Sequence, residues 1–177
     1  MREAGKLVLT MMVCAGFFSS TAVAKQADAG GTAKVAPVPA AIFAAKRVFI
    51  SNAGADSGLF PHPFSGLQDR GYNQFYGEMQ GWGRYELVNE PDEADLVFEV
   101  QLVGPSGPAN ANKAKGASDP LPMLRLSVIQ RQTHYVLWTL TETIEAANLQ
   151  KTHDRNFDQA IAALAAALKA LVSKTGV

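Results

Sequence analysis

Catalysis or metal binding needs side chains that ionise, ligate or attack, and this 177-residue chain offers few of them in useful patterns. Its three histidines are His62, His134 and His153. None stands at the H-x-H or H-E-x-x-H spacing that lets a short segment present two imidazoles to one metal. His153-Asp154 sets a base beside a carboxylate, the pairing of half a triad. No G-x-S-x-G turn supplies the nucleophile, so the pair reads as a helix start with Asp154 as N-cap. Glu90, Asp92, Glu93 and Asp95 crowd four carboxylates into six positions. They lack the D-x-D-x-D-G spacing and distal Glu of a calcium loop and read as a solvated acidic turn. Arg125, Lys151 and Arg155 are scattered and read as solvated charges. These patterns predict no catalytic residue, no metal site, no cofactor and no enzymatic activity.

One stretch has the character of a binding site. Residues 52–69, NAGADSGLFPHPFSGLQD, form a long loop between an expected strand and an expected helix, where open α/β sheets bind ligands. Its candidate contacts are the polar Asn52, Asp56, Ser57 and His62 and the apolar Leu59, Phe60 and Phe64. Gly54 and Gly58 do not complete G-x-G-x-x-G, and no Gly-Lys-Ser/Thr follows, so it is no phosphate cradle. Two readings stay open: the phenylalanines fold back over the sheet, or the loop meets a partner or ligand.

The elements that would position this loop are legible from periodicity. Lys46–Ser51 is a short apolar strand suited to an inner place in a sheet. Tyr72, Phe75, Tyr76, Met79 and Trp82 recur at three- and four-residue spacing, predicting a helix over Arg70–Trp82 with Asp69 as N-cap and Gly83 as terminator. Tyr85–Val88 is a second strand. Leu96, Phe98, Val100 and Leu102 alternate with Val97, Glu99 and Gln101 as a third. Leu124–Ile144 reads as a hairpin around the polar QRQTH. Leu124, Leu126 and Val128, then Val136, Trp138 and Leu140, lie on its core face. Phe157, Ile161, Leu164, Leu168, Leu171 and Val172 predict a closing helix that starts after Asp154.

Composition sets the address. Arg2 and Lys6 precede the apolar run from Leu7, which ends in Ala22-Val23-Ala24, the pattern of an export signal cleaved after Ala24. The expected organisation is a signal over residues 1–24, a flexible Pro/Gly-rich leader over 25–40, and one domain over 41–177 with a mobile loop at 104–122. The one cysteine, Cys14, lies inside the signal without a lipidation pattern. A mature chain would then have no thiol, no disulfide and no stable membrane anchor. Sixteen basic and sixteen acidic residues balance, and no basic run suggests nucleic acid. The expected location is periplasmic or secreted.

Two local features carry a resemblance: ADLVFEV at residues 94–100, and QRQTHYVLW at 130–138 followed by a loop and a long closing helix. Together they resemble small α/β domains of bacterial envelope proteins such as the amino-terminal domain of TolB, the curli-secretion lipoprotein CsgG and uncharacterised lipoproteins. They are also similar to a group of hypothetical secreted proteins. The resemblance covers roughly residues 45–173. It implies an α+β two-layer sandwich: a mixed, mostly antiparallel sheet of about five strands with two helices on one face. It also implies an interaction module that binds an envelope protein. The functional expectation is therefore an exported, non-enzymatic binding or assembly module. The alternatives are a small-ligand carrier or periplasmic enzyme using the 52–69 loop, and a self-associating structural protein.

Overall fold

A computed structural model describes residues 36–56, 58–104 and 121–173. The expected signal, most of the leader, Ser57 and most of the 104–122 loop lie outside these residues. Helix α1 (Ala40–Ala44) leads into strand β1 (Arg47–Ala55) and helix α2 (Arg70–Trp82). Strand β2 (Glu86–Val88), a 3₁₀ turn (Pro91–Glu93) and strand β3 (Leu96–Val103) follow. Strands β4 (Met123–Gln130) and β5 (Val136–Thr143) then precede helix α3 (Gln150–Ser173).

The strands form one mixed sheet in the order β2-β1-β3-β4-β5. β1 runs parallel to both β2 and β3, so the continuously apolar Val48-Phe49-Ile50 occupies the inner position expected of it. The longer β3–β4 and β4–β5 ladders are antiparallel. Period-2 alternation buries Leu96, Phe98, Val100 and Leu102 of β3 and Leu124, Leu126 and Val128 of β4 on one face. α2 and α3 pack there, against each other and against β1, β3, β4 and β5. The two-layer sandwich is as expected, with short α1 added. Ile42 of α1 is fully buried, Tyr85 Oη donates to its carbonyl at 3.3 Å, and Arg84 Nη2 donates to the Phe43 carbonyl at 2.9 Å.

α2 has the predicted bounds. Gly83 ends it in the left-handed region at φ 64°, donating its amide to the Met79 carbonyl at 3.2 Å. Asp69 occupies the N-cap position without a side-chain capping bond.

Four expectations need correction. Residues 52–55 are not loop: β1 continues to Ala55 through an irregularity after Asn52, and the Asp56 amide still donates to the Leu102 carbonyl at 2.9 Å. Asp154 is not an N-cap, because α3 begins four residues earlier at Gln150. Asp95 is not merely solvated: its Oδ2 accepts the backbone amides of Lys46 and Arg47, both at 2.9 Å, and fixes the start of β1. Val136 is not on the core face. Val128 pairs with Trp138 but Ile129 pairs with Val136, so Leu137 is an extra residue that bulges the strand and turns Val136 outward, 57% exposed. The hairpin lacks Asn-Gly, and His134 takes the positive φ of 58° instead, its amide donating to the Gln130 carbonyl at 2.8 Å.

Candidate functional site

Two surfaces remain as candidates once each predicted residue is placed. The first lies at the carboxyl end of β1. The chain turns there over residues 58–69 and leaves an open cavity of about 610 Å³ lined by residues that include Asn52, Phe60, Pro61, Leu67, Gln68 and Asp69. Of the predicted polar contacts only Asn52 lines it, and its Oδ1 accepts the Gly54 amide at 2.9 Å. Asp56 is occupied elsewhere, accepting the Gly104 amide at 2.8 Å. His62 is exposed but does not line the cavity, and Ser57 lies outside the described residues.

The apolar contacts divide. Leu59 and Phe64 are 5% and 1% exposed, part of the core and not of a binding surface. Phe64 packs on Phe157 with ring centroids 5.1 Å apart, and Phe60 lies half-buried at 6.1 Å from Phe64. The phenylalanines fold back. Leu67 takes the exposed position instead, at 75%, and no periodicity marks it because it sits in irregular backbone.

A polar clamp holds the loop in this shape. Arg70, at the first turn of α2, donates to Asp154 Oδ1 at 2.7 Å and to Asp158 Oδ1 at 2.5 Å, both on α3. Its guanidinium lies 4.8 Å from the centroid of the Phe157 ring. Asp154 Oδ1 also accepts the Ser65 amide at 2.9 Å, and Gln150 Nε2 donates to the Pro63 carbonyl at 2.8 Å. Burial alone would raise the Asp154 carboxyl. The bonds from Ser65, Arg70 and Gln150 outweigh it and hold the group far below the usual carboxylate range. Burial would likewise lower the Arg70 guanidinium, but its two aspartates raise it. Sequence reading missed this clamp because its members lie 84 and more positions apart.

The second surface is the face of the sheet opposite α2 and α3. The register sets Phe49, Val97, Ile129 and Val136 side by side across β1, β3, β4 and β5. A shallow apolar hollow of about 330 Å³ lies along this row, bounded by Arg131 and His134. Arg131 donates to Asp92 across its rim at 3.3 Å. Tyr135, 72% exposed, follows one position on, opposite Gln130, whose amide donates to its carbonyl at 3.0 Å. The next rows along the strands are polar: Ser51, Glu99, Ser127 and Thr139, then Gln101, Arg125 and Thr141. Val97 and Ile129 pair on the open face, whereas Leu137, at the bulge, packs toward the core.

Among the described residues, no group of three or more His, Cys, Asp or Glu side chains could hold a metal ion, and no helix is long and apolar enough to cross a membrane. No family model matches the chain, and no curated protein matches it. Solved structures are similar to it. A variant PelC dodecamer from Paraburkholderia phytofirmans is 13% identical over 70% of this chain and 87% of its own, with a TM-score of 0.44. Protein XCC0632 from Xanthomonas campestris, of family-model DUF330, is 11% identical over 70% and 81%, with a TM-score of 0.42. Uncharacterized lipoprotein B from Nitrosomonas europaea is 8% identical over 73% and 81%, with a TM-score of 0.34.

Proposed function

We propose that this chain is an exported, non-enzymatic binding or assembly module of the bacterial cell envelope that meets its partner through the open face of the sheet. The observation that carries this reading is the row Phe49–Val97–Ile129–Val136. Contiguous apolar side chains on an uncovered face, rimmed by Arg131 and Asp92, have the make-up of a docking patch. The charged amino terminus, apolar run and Ala22-Val23-Ala24 support export, and the resemblance to TolB and CsgG domains supports an envelope partner.

The test pairs the parent with a Val97→Lys, Ile129→Glu double variant in a pull-down from native envelope extract. Val97 and Ile129 are directly opposite, so the introduced charges attract across the sheet and preserve it while abolishing the apolar row. A partner held by the parent and lost by the folded variant supports the reading. Equal capture by both, or no capture by either, overturns it.

One observation favours a second reading, a small-ligand carrier. The cavity at the end of β1 combines the Asn52 and Gln68 carboxamides and the Asp69 carboxylate with apolar Phe60, Pro61 and Leu67. A ligand screen read by thermal shift, in which Gln68→Ala removes the response and Val97→Lys, Ile129→Glu does not, would favour it over the first.

A further inference from the structure

We propose that the outer edge of β5 pairs antiparallel with β5 of a second copy, joining the two sheets into one. β5 ends the sheet, and among the described residues no strand pairs with its outer side. The other edge, β2, is only three residues long, whereas β5 has eight. Edges are blunted by proline, charges, bulges or a covering element. β5 has no proline or lysine, and its bulge at Leu137 and its inward-facing charge, Glu142, flank a stretch whose open-face positions, Thr139 and Thr141, are β-branched and suited to strand pairing.

The hydrogen-bond phase identifies the free groups. The Ile144 amide donates to the Pro122 carbonyl, so in the alternating antiparallel pattern Glu142, Leu140 and Trp138 also bond toward β4. The amides and carbonyls of Thr139, Thr141 and Thr143 therefore point away from the sheet. The core-facing side chains give a second, independent sign. Trp138 and Leu140 pair with Val128 and Leu126, both fully buried, yet remain only half-buried themselves because the edge beyond them is open.

A second copy supplies what this edge lacks, and a two-fold axis at Leu140 satisfies each requirement. Thr139 then exchanges hydrogen bonds with Thr141 of the second copy and Thr141 with its Thr139, on the open face. On the core face Leu140 covers Leu140 of the second copy. Glu142 lies opposite the second copy's Trp138, away from its own twin. This axis sits at the middle of the regular stretch beyond the Leu137 bulge. α3 lies over β4 and β5, so the two α3 helices would run about two strand spacings apart, roughly 10 Å. Ala160 and Ala163, on the flank of α3 next to Glu142 and Thr143, leave room for that approach.

Sedimentation equilibrium of the full chain over a wide concentration range tests the pairing. The parent should rise from the mass of one chain to that of two. Thr139 and Thr141 are both exposed, so substitution there leaves the monomer folded, as circular dichroism will verify. Thr139→Lys, Thr141→Lys sets like charges opposite each other twice and should hold the mass at one chain. Thr139→Lys, Thr141→Glu sets opposite charges in the same places and should restore the doubled mass. A parent of one-chain mass at every concentration, a doubly lysine-substituted variant that still dimerises, or a Lys/Glu variant that stays single overturns the proposal. None of these outcomes depends on the open-face partner, whose variants lie on β3 and β4.

Discussion

Arg70 Nη1 meets Asp154 Oδ1 at 2.7 Å, and the same oxygen accepts the Ser65 amide at 2.9 Å, so one carboxylate joins the start of α2, the second turn of α3 and the loop between β1 and α2. Both side chains are largely shielded, at 16% and 22% exposure. Replacing Asp154 by Ala leaves a shielded guanidinium and a backbone amide short of an acceptor, while Asp158 keeps Arg70 partly paired. The expected loss is about 1–3 kcal/mol. Urea unfolding of the parent and the variant reads it directly.

Acid should weaken the fold through two carboxylates. Bonds from the Arg47 and Lys46 amides hold Asp95 below its ordinary value, and the Ser65, Arg70 and Gln150 bonds overcome burial to hold Asp154 lower still. A group with a depressed folded pKa contributes stability that is fully present above its unfolded value, roughly 4, and is lost as pH falls toward the folded one. The unfolded chain binds more protons in that window, so stability rises with pH there. Urea midpoints measured from neutral pH downward should fall below about pH 4. The slope should be shallower in Asp154→Asn, which removes the more strongly shifted group.

Phe64 and Leu67 stand three residues apart in one loop but should respond in opposite ways. Phe64 is 1% exposed against Phe157, so Phe64→Ala should cost about 3–5 kcal/mol. Leu67 is 75% exposed, and Leu67→Ser should change stability by no more than about 0.5 kcal/mol. Comparing their thermal midpoints separates the covering part of the loop from its exposed part.

Two glycines of the α2 region should also diverge. Gly83 holds φ 64° with open space where a Cβ would go, so Gly83→Ala is penalised by backbone conformation alone, at about 1–2 kcal/mol. Gly71 has no such conformation. A Cβ there would touch Phe157, Leu124 and Ile161 at 3.5–3.8 Å, ordinary contact distances. Gly71→Ala should be neutral or stabilising by up to about 1 kcal/mol, because alanine fits this helical backbone and leaves the unfolded chain less conformational freedom to lose. Denaturant titration of both variants checks the sign.

Local periodicity determined much of this protein. Aromatic spacing and Gly83 bounded α2, and alternation assigned the buried faces of β3 and β4. These signals work because helix and strand each impose a period on neighbouring residues, whatever lies across the fold. The one-residue bulge at Leu137 escaped the same logic: a single inserted residue shifts the faces, and no local signal distinguishes it from regular alternation. The start of α3 was hidden for a related reason. Asp154 has the chemistry of a cap, but its oxygens are engaged by Ser65 and Arg70, and the helix starts instead where the Thr152 and His153 amides reach the Leu149 carbonyl.

The candidate surfaces were the part that only tertiary structure decided. Composition identified the 52–69 stretch as unusual, yet whether Phe64 or Leu67 faces solvent depends on Phe157 and Asp154, some ninety positions further along the chain. The apolar row Phe49–Val97–Ile129–Val136 exists because four strands align in one register across the sheet. The sequence by itself determined the elements, since each follows from the period of its own residues. Their shared surfaces depend on distances between residues far apart in the chain, and those distances arise only when the sheet and helices pack.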